Sequence, residues 1–319
     1  MGLADGKMGI CIYLYIIGRF ENNNEYSSIA GKLLDEIISN ISTLPIDVKG
    51  GLAGLGLGVT YLIKNKYIKG NINSILEETD SEVCKHLFYS KYINKIEVLS
   101  LTQILYYLCV RSKEQKKNSN NESLYRELII NILNKINDKL DLDFFEESLV
   151  YTINYTVPQL LYVLGEIYYL DFYNLRLIKI LEELSYKIFS IIPHLDSNKL
   201  YLLWGMDSLQ SRIKDNNWEK QINLIKSHID LDNILEKELN NKNIFFCDGL
   251  TSIFFFINTL KSYFPSEYIV IYNEKILNRI KSSTIWTLLL QNPQFFNSHT
   301  GLENGFCGTA LLINSIRVK

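Results

Sequence analysis

One short pattern recurs along this chain and limits the folds open to it. Gly2-Leu3-x-x-Gly6-x-x-Gly9-Ile10 begins the sequence, and Gly301-Leu302-x-x-Gly305-x-x-Gly308 nearly ends it. A third copy, Gly51-Leu52-Ala53-Gly54, runs into Leu55-Gly56-Leu57-Gly58-Val59. Weaker copies stand at Cys247-Asp248-Gly249-Leu250-Thr251-Ser252 and at Trp204-Gly205-Met206-Asp207. Two more, Ser100 to Leu105 and Tyr155 to Leu161, are recognised by their place and by the apolar run that follows. The seven anchors lie about 42 to 56 residues apart, room for two helices and two connections per repeat.

The segments between anchors are amphipathic and of helix length. Residues 29–41, 124–140, 173–192 and 218–239 carry apolar side chains at three- and four-residue spacing. No clean alternation bounded by hairpin turns suggests a strand. Each repeat therefore reads as an outer amphipathic helix, a short loop and an inner helix opened by the glycine motif. A glycine pair at i and i+3 lets a neighbouring backbone or a ligand come close to the helix start. Any single copy fits plain helix packing. The ordered set of seven fits a ring whose inner helices point free N–H groups at a shared mouth. An open α-solenoid also has repeats of this length, but its ends tend to be atypical caps, whereas here both ends carry the best copies.

Composition narrows the partners. With 33 basic and 35 acidic side chains the formal net charge is -2, which argues against a nucleic-acid binder. Cys11, Cys84, Cys109, Cys247 and Cys307 are scattered and odd in number, with no C-x-x-C pair, so a reducing cytoplasm is expected rather than a disulfide framework. The apolar runs Ile10 to Ile17 and Ile253 to Ile257 are too short for a membrane span, and no signal peptide is evident.

The glycine motifs resemble those of the lanthionine synthetase C-like family over essentially the whole chain. The resemblance implies an all-α fold, an α/α toroid of about seven helical hairpins, as a single domain over 1–319. An outer helix would precede Gly2 in such a toroid. With none ahead of Gly2 in this sequence, the expectation is either a truncated start or an imperfectly closed ring, and a missing outer helix would leave an apolar groove on the first inner helix. The resemblance also implies a peptide cyclase that adds a cysteine thiol to a dehydroamino acid. Zinc held by two cysteines and a histidine would activate the thiol, and a further histidine would manage the proton.

By that resemblance the zinc cysteine of repeat five follows a tryptophan; here Trp204 is followed by Gly205. Repeat six has cysteine then histidine; here Cys247 is followed by Asp248. The proton-handling histidine of repeat four falls near Asn154. Cys247 and Asp248 remain as metal candidates, with His299 or Cys307 as outside help from repeat seven. No other cofactor is expected. His86, His194 and His228 read as surface or hydrogen-bonded histidines.

Three functions follow. The first is a non-catalytic, pseudoenzyme member of a lanthipeptide-type pathway, holding a peptide substrate or leader peptide for a dehydratase partner, with Trp204, Asn154 and Phe254 lining its cavity. The second is an active cyclase with a rebuilt zinc site, or with Asp207 and Asp248 as acid/base groups. The third, a toroid glycoside hydrolase using those two carboxylates, lacks support from the glycine motif.

Overall fold

The computed structural model describes residues 2–41, 44–88, 93–140, 143–240 and 243–317. Thirteen longer helices among them alternate between two characters. The first kind comprises α1 (Lys7–Phe20), α3 (Leu52–Lys64), α5 (Val98–Lys113), α7 (Thr156–Tyr169), α9 (Asp196–Ile213), α11 (Leu250–Thr259) and α13 (Phe306–Arg317). The second comprises α2 (Asn24–Ile38), α4 (Glu77–Phe88), α6 (Asn120–Asp138), α8 (Asn174–Phe189), α10 (Asn216–Ser227) and α12 (Ser266–Lys281). The described residues contain no strand and no helix long and apolar enough to cross a membrane.

The two kinds differ in how their apolar residues are spread. In α3, Leu52, Ala53, Leu55, Val59 and Leu62 are all buried, so most of the helix surface is covered. In α12 only Ile269, Tyr272, Ile276 and Ile280 are buried, a single stripe at three- and four-residue spacing. Side-chain caps serve the second kind: Asn23 accepts from Glu25 N at 2.9 Å before α2, and Asp215 accepts from Asn217 N at 2.8 Å before α10. Backbone glycines serve the first kind, with Gly6, Gly51 and Gly249 as the N-caps of α1, α3 and α11.

The chain divides into two compact units, Met1–Lys135 with Leu288–Lys319, and Ile136–Thr287. In the first, α1 packs on α2, α3 and α13. Backbone bonds join the helix starts there: Gly2 N to Gly50 O at 3.0 Å, Ala4 N to Lys49 O at 3.2 Å and Leu302 N to Ala4 O at 2.6 Å. A Cβ on Gly54 would sit 2.0 Å from Val48 O, so only glycine fits that crossing. No residue from Ile10 to Ile17 is fully exposed, because α2, α3 and α13 cover α1. The expected bare groove is therefore absent.

In the second unit α7 packs along α9, α9 meets α10 and α11, and α11 meets α12. Six of the seven sequence anchors fall at or beside a helix start. The fifth differs. Helix α9 begins at Asp196 with Leu195 as its N-cap, and Trp204 and Gly205 lie in its middle. Gly205 serves there as a crossing point: a Cβ would meet Pro158 Cα and O, each at 2.6 Å. Pro158 sits in the first turn of α7, where its missing N–H costs nothing. What holds the start of α9 is a carboxylate. Glu238 accepts from Asp196 N at 2.7 Å, Ser197 N at 2.9 Å and Ser197 Oγ at 2.6 Å.

Candidate functional site

The site forms where two loops run together in the second unit. Residues 151–155 lead into α7, and residues 243–249 lead into α11. Ile153 N donates to Cys247 O at 2.7 Å, and the Ile153 carbonyl accepts from Gln159 Nε2 at 2.7 Å and Tyr201 Oη at 3.1 Å. Tyr151 Oη donates to Ser252 Oγ at 2.7 Å, a bond between two buried side chains. The backbone on both sides of Cys247 is thus fixed before any ligand arrives.

Cys247 is buried. Its Sγ lies 3.7 Å from Asn154 Nδ2 and 3.7 Å from Thr152 Oγ1. Asn154 and Cys247, separated by 93 positions in the chain, meet because each stands just ahead of an N-cap, Tyr155 and Gly249. The amide turns an N–H donor toward the sulfur. Neither Asn154 nor Thr152 can take a proton near neutral pH.

Asp248 turns to its own loop. Its Oδ1 accepts from Asn243 Nδ2 at 2.7 Å, while Asn243 Oδ1 accepts from Phe245 N at 2.9 Å. Burial pushes the Asp248 carboxyl up, and the Asn243 bond offsets part of that rise. Asp207, on α9, has a different partner, with its Oδ1 accepting from Tyr263 Oη at 2.5 Å. Among the described residues, no hydrogen-bond partner is shared between the two aspartates.

Trp204 belongs to an aromatic wall. It stacks on Tyr162 with ring centroids 5.3 Å apart, on Tyr201 at 5.8 Å, and lies 5.5 Å from Phe256. Phe256 continues to Phe255 at 5.5 Å and from there to Phe246 at 5.8 Å. Tyr162, Trp204, Phe246 and Phe255 are half-buried, so the wall is partly open to solvent. Phe254 is buried in the core instead and lines nothing open. Tyr201 joins the wall to the thiol, since its hydroxyl bonds the Ile153 carbonyl beside Cys247.

The donor set does not fit zinc. Among the described residues, no three His, Cys, Asp or Glu side chains come together as metal ligands, whereas zinc sites use three or four. Position 205 cannot hold the ligand cysteine, given its approach to Pro158. Cys247 stands two residues ahead of the Gly249 N-cap, and the same step back from Leu195 reaches Pro193, which is no ligand either. His194 donates its backbone N–H to Glu147. The Nδ1 atoms of His86, His228 and His299 bond the carbonyls of Glu82, Leu224 and Phe295 at 2.8, 2.8 and 3.0 Å. Burial pushes the thiols of Cys11, Cys84 and Cys307 up to about 12, so they stay protonated.

The sequence reading did not find Thr152, Asn243, Tyr162 or Tyr201. Their contacts join distant repeats or depend on loop geometry, and no spacing marks them.

No family model matches this sequence, and no curated protein matches it. Among solved structures, a nisin cyclase is similar over 99% of this chain and 88% of its own, with a TM-score of 0.68 and 13% sequence identity. The fold is an α/α toroid. At that identity the likeness extends to the fold alone.

Proposed function

We propose that this chain is a lanthionine synthetase C-like protein of a lanthipeptide-type pathway that holds a peptide without closing thioether rings. The peptide would lie along the half-buried rings of Tyr162 and Trp204 and reach Cys247. A dehydratase would be its partner, and all of 1–319 would act as one toroid domain. The observation that carries this reading is the contact of Asn154 Nδ2 with Cys247 Sγ. Where the resemblance expects a proton-handling histidine beside the zinc thiolate, a neutral amide meets the sulfur. The toroid likeness to a nisin cyclase supports a peptide as the ligand class.

The active-cyclase reading draws on Asp248, whose carboxyl is pushed up by burial and could serve as an acid. A synthetic peptide bearing one dehydroalanine and one cysteine separates the two. Incubated with the purified protein and then alkylated, it should keep its free thiol at the rate of the uncatalysed control, while quenching Trp204 fluorescence on binding. Ring closure that is faster than the control and lost in Cys247→Ala would overturn the proposal.

A further inference from the structure

A second recess lies at the other end of α7 from Cys247, about 20 Å away by the rise of that helix. It is a pocket of ≈ 240 Å³ between α8 and α10, closed by the C-terminal ends of α7 and α9. Its apolar lining includes Tyr168, Leu181, Phe189 and Trp218, with the Phe189 and Trp218 rings edge to face at 4.9 Å. Glu182 and Asp215 are its charged lining residues, and both are exposed at the rim.

The two carboxylates are available. Glu182 makes no side-chain hydrogen bond or ion pair among the described residues, and Ser185 and Asn217 are the neutral polar residues beside it in the lining. Asp215 uses Oδ1 to cap α10, accepting from Asn217 N at 2.8 Å and Trp218 N at 3.2 Å, which leaves Oδ2 for a ligand. Aromatic faces beneath an acidic rim suit a long aliphatic stem ending in a cation. Beside the pocket, on α8, Leu175 and Tyr186 stand 85% and 82% exposed, two apolar side chains with no cover.

We infer that this pocket binds a lysine or arginine side chain of a peptide segment whose neighbouring apolar residues rest on Leu175 and Tyr186. The stem packs on Leu181, Phe189 and Trp218, and the charge meets Glu182 and Asp215. This site is independent of the Cys247 loop and of the peptide-holding role proposed there.

The test uses the full chain with its three tryptophans labelled as 5-fluorotryptophan and the Trp218 fluorine line assigned by Trp218→Phe. The probe is acetyl-Leu-Lys-Leu-amide, set against the same peptide with norleucine in place of lysine. The lysine peptide should move the Trp218 line, and the norleucine peptide should need about fivefold more for the same shift. Glu182→Gln with Asp215→Asn keeps the helix cap and should weaken the lysine peptide about fivefold. Cys247→Ala should leave the titration unchanged. No shift by about 10 mM, equal potency of the two peptides, or an unchanged titration in the double variant would each overturn the assignment.

Discussion

The two compact units solve one problem by different means. Each must fix the starts of its buried helices against neighbouring loops. In Met1–Lys135 with Leu288–Lys319, backbone meets backbone: Gly2 N reaches Gly50 O, Leu302 N reaches Ala4 O, and Gly54 lies against Val48 O. In Ile136–Thr287 side chains carry more of the work. Glu238 caps α9, Tyr201 holds the Ile153 carbonyl, and Asn243 closes the loop of Cys247. Backbone-to-backbone contact demands glycine and leaves a motif in the sequence. Side-chain anchoring tolerates many residues and leaves none.

The sharpest way to break this contrast is at Gly54. Its replacement by alanine puts a Cβ 2.0 Å from Val48 O, a backbone atom that cannot swing aside. A loss of about 3 kcal/mol in urea unfolding is expected. Gly31→Ala is the control, because its Cβ meets nothing nearer than Tyr15 Oη at 3.6 Å, and it should be neutral or stabilising through helix propensity. Equal effects at both positions would remove the distinction between glycine as fastener and glycine as filler.

The matching test in the second unit is Glu238→Ala. Three donors at the start of α9 lose their acceptor, two of them backbone N–H groups, and Ser197 is fully buried. A cost of about 2 kcal/mol is expected, read as a shift of the urea midpoint with the slope unchanged. A change under about 0.5 kcal/mol would mean that solvent replaces the carboxylate and that α9 needs no such anchor.

The same contrast explains what could be read beforehand. Repeats one, two and seven were legible because Gly2, Gly51 and Gly305 stand at close backbone crossings. Asn154 and Cys247 could be singled out from the resemblance because each sits just ahead of a helix start, Tyr155 or Gly249, so repeat spacing carried them to one place. Trp204-Gly205 looked like another helix start and is not one. A glycine required for the α7–α9 crossing at Pro158 has the same sequence appearance as a glycine at an N-cap. Phe254 was misplaced for a related reason: three consecutive phenylalanines point to different sides of α11, and only Phe255 of the three is half open. Thr152 and Asn243 were invisible, since a contact to sulfur or a loop closure follows from three-dimensional placement and not from spacing.

Metal content comes next in size. The protein as purified should carry less than about 0.1 zinc per chain by elemental analysis, because Cys247 and Asp248 do not make up the three or four ligands zinc needs. Cys247→Ala should leave that figure unchanged. About one zinc per chain, lost in the variant, would place the second unit back with metal-dependent cyclases and end its reading as a peptide holder.

The smallest effect tests how the second unit tolerates a carboxyl in its loop. Burial raises the Asp248 pKa above its ordinary value, so between the unfolded and folded pKa values the folded chain binds more protons than the unfolded one. Stability from this group therefore falls as pH rises through that window, and the full penalty remains at neutral pH. Asparagine at 248 removes the charge and keeps an oxygen to accept from Asn243 Nδ2. Asp248→Asn should then raise Tm slightly at pH 7, by an amount limited by solvent screening of a half-buried group. The gain should shrink as pH drops and vanish near pH 3, where aspartate is protonated in both states. A variant that loses stability at pH 7 would show that the ionised carboxylate fastens the Cys247 loop, as Glu238 fastens α9, rather than being carried at a cost.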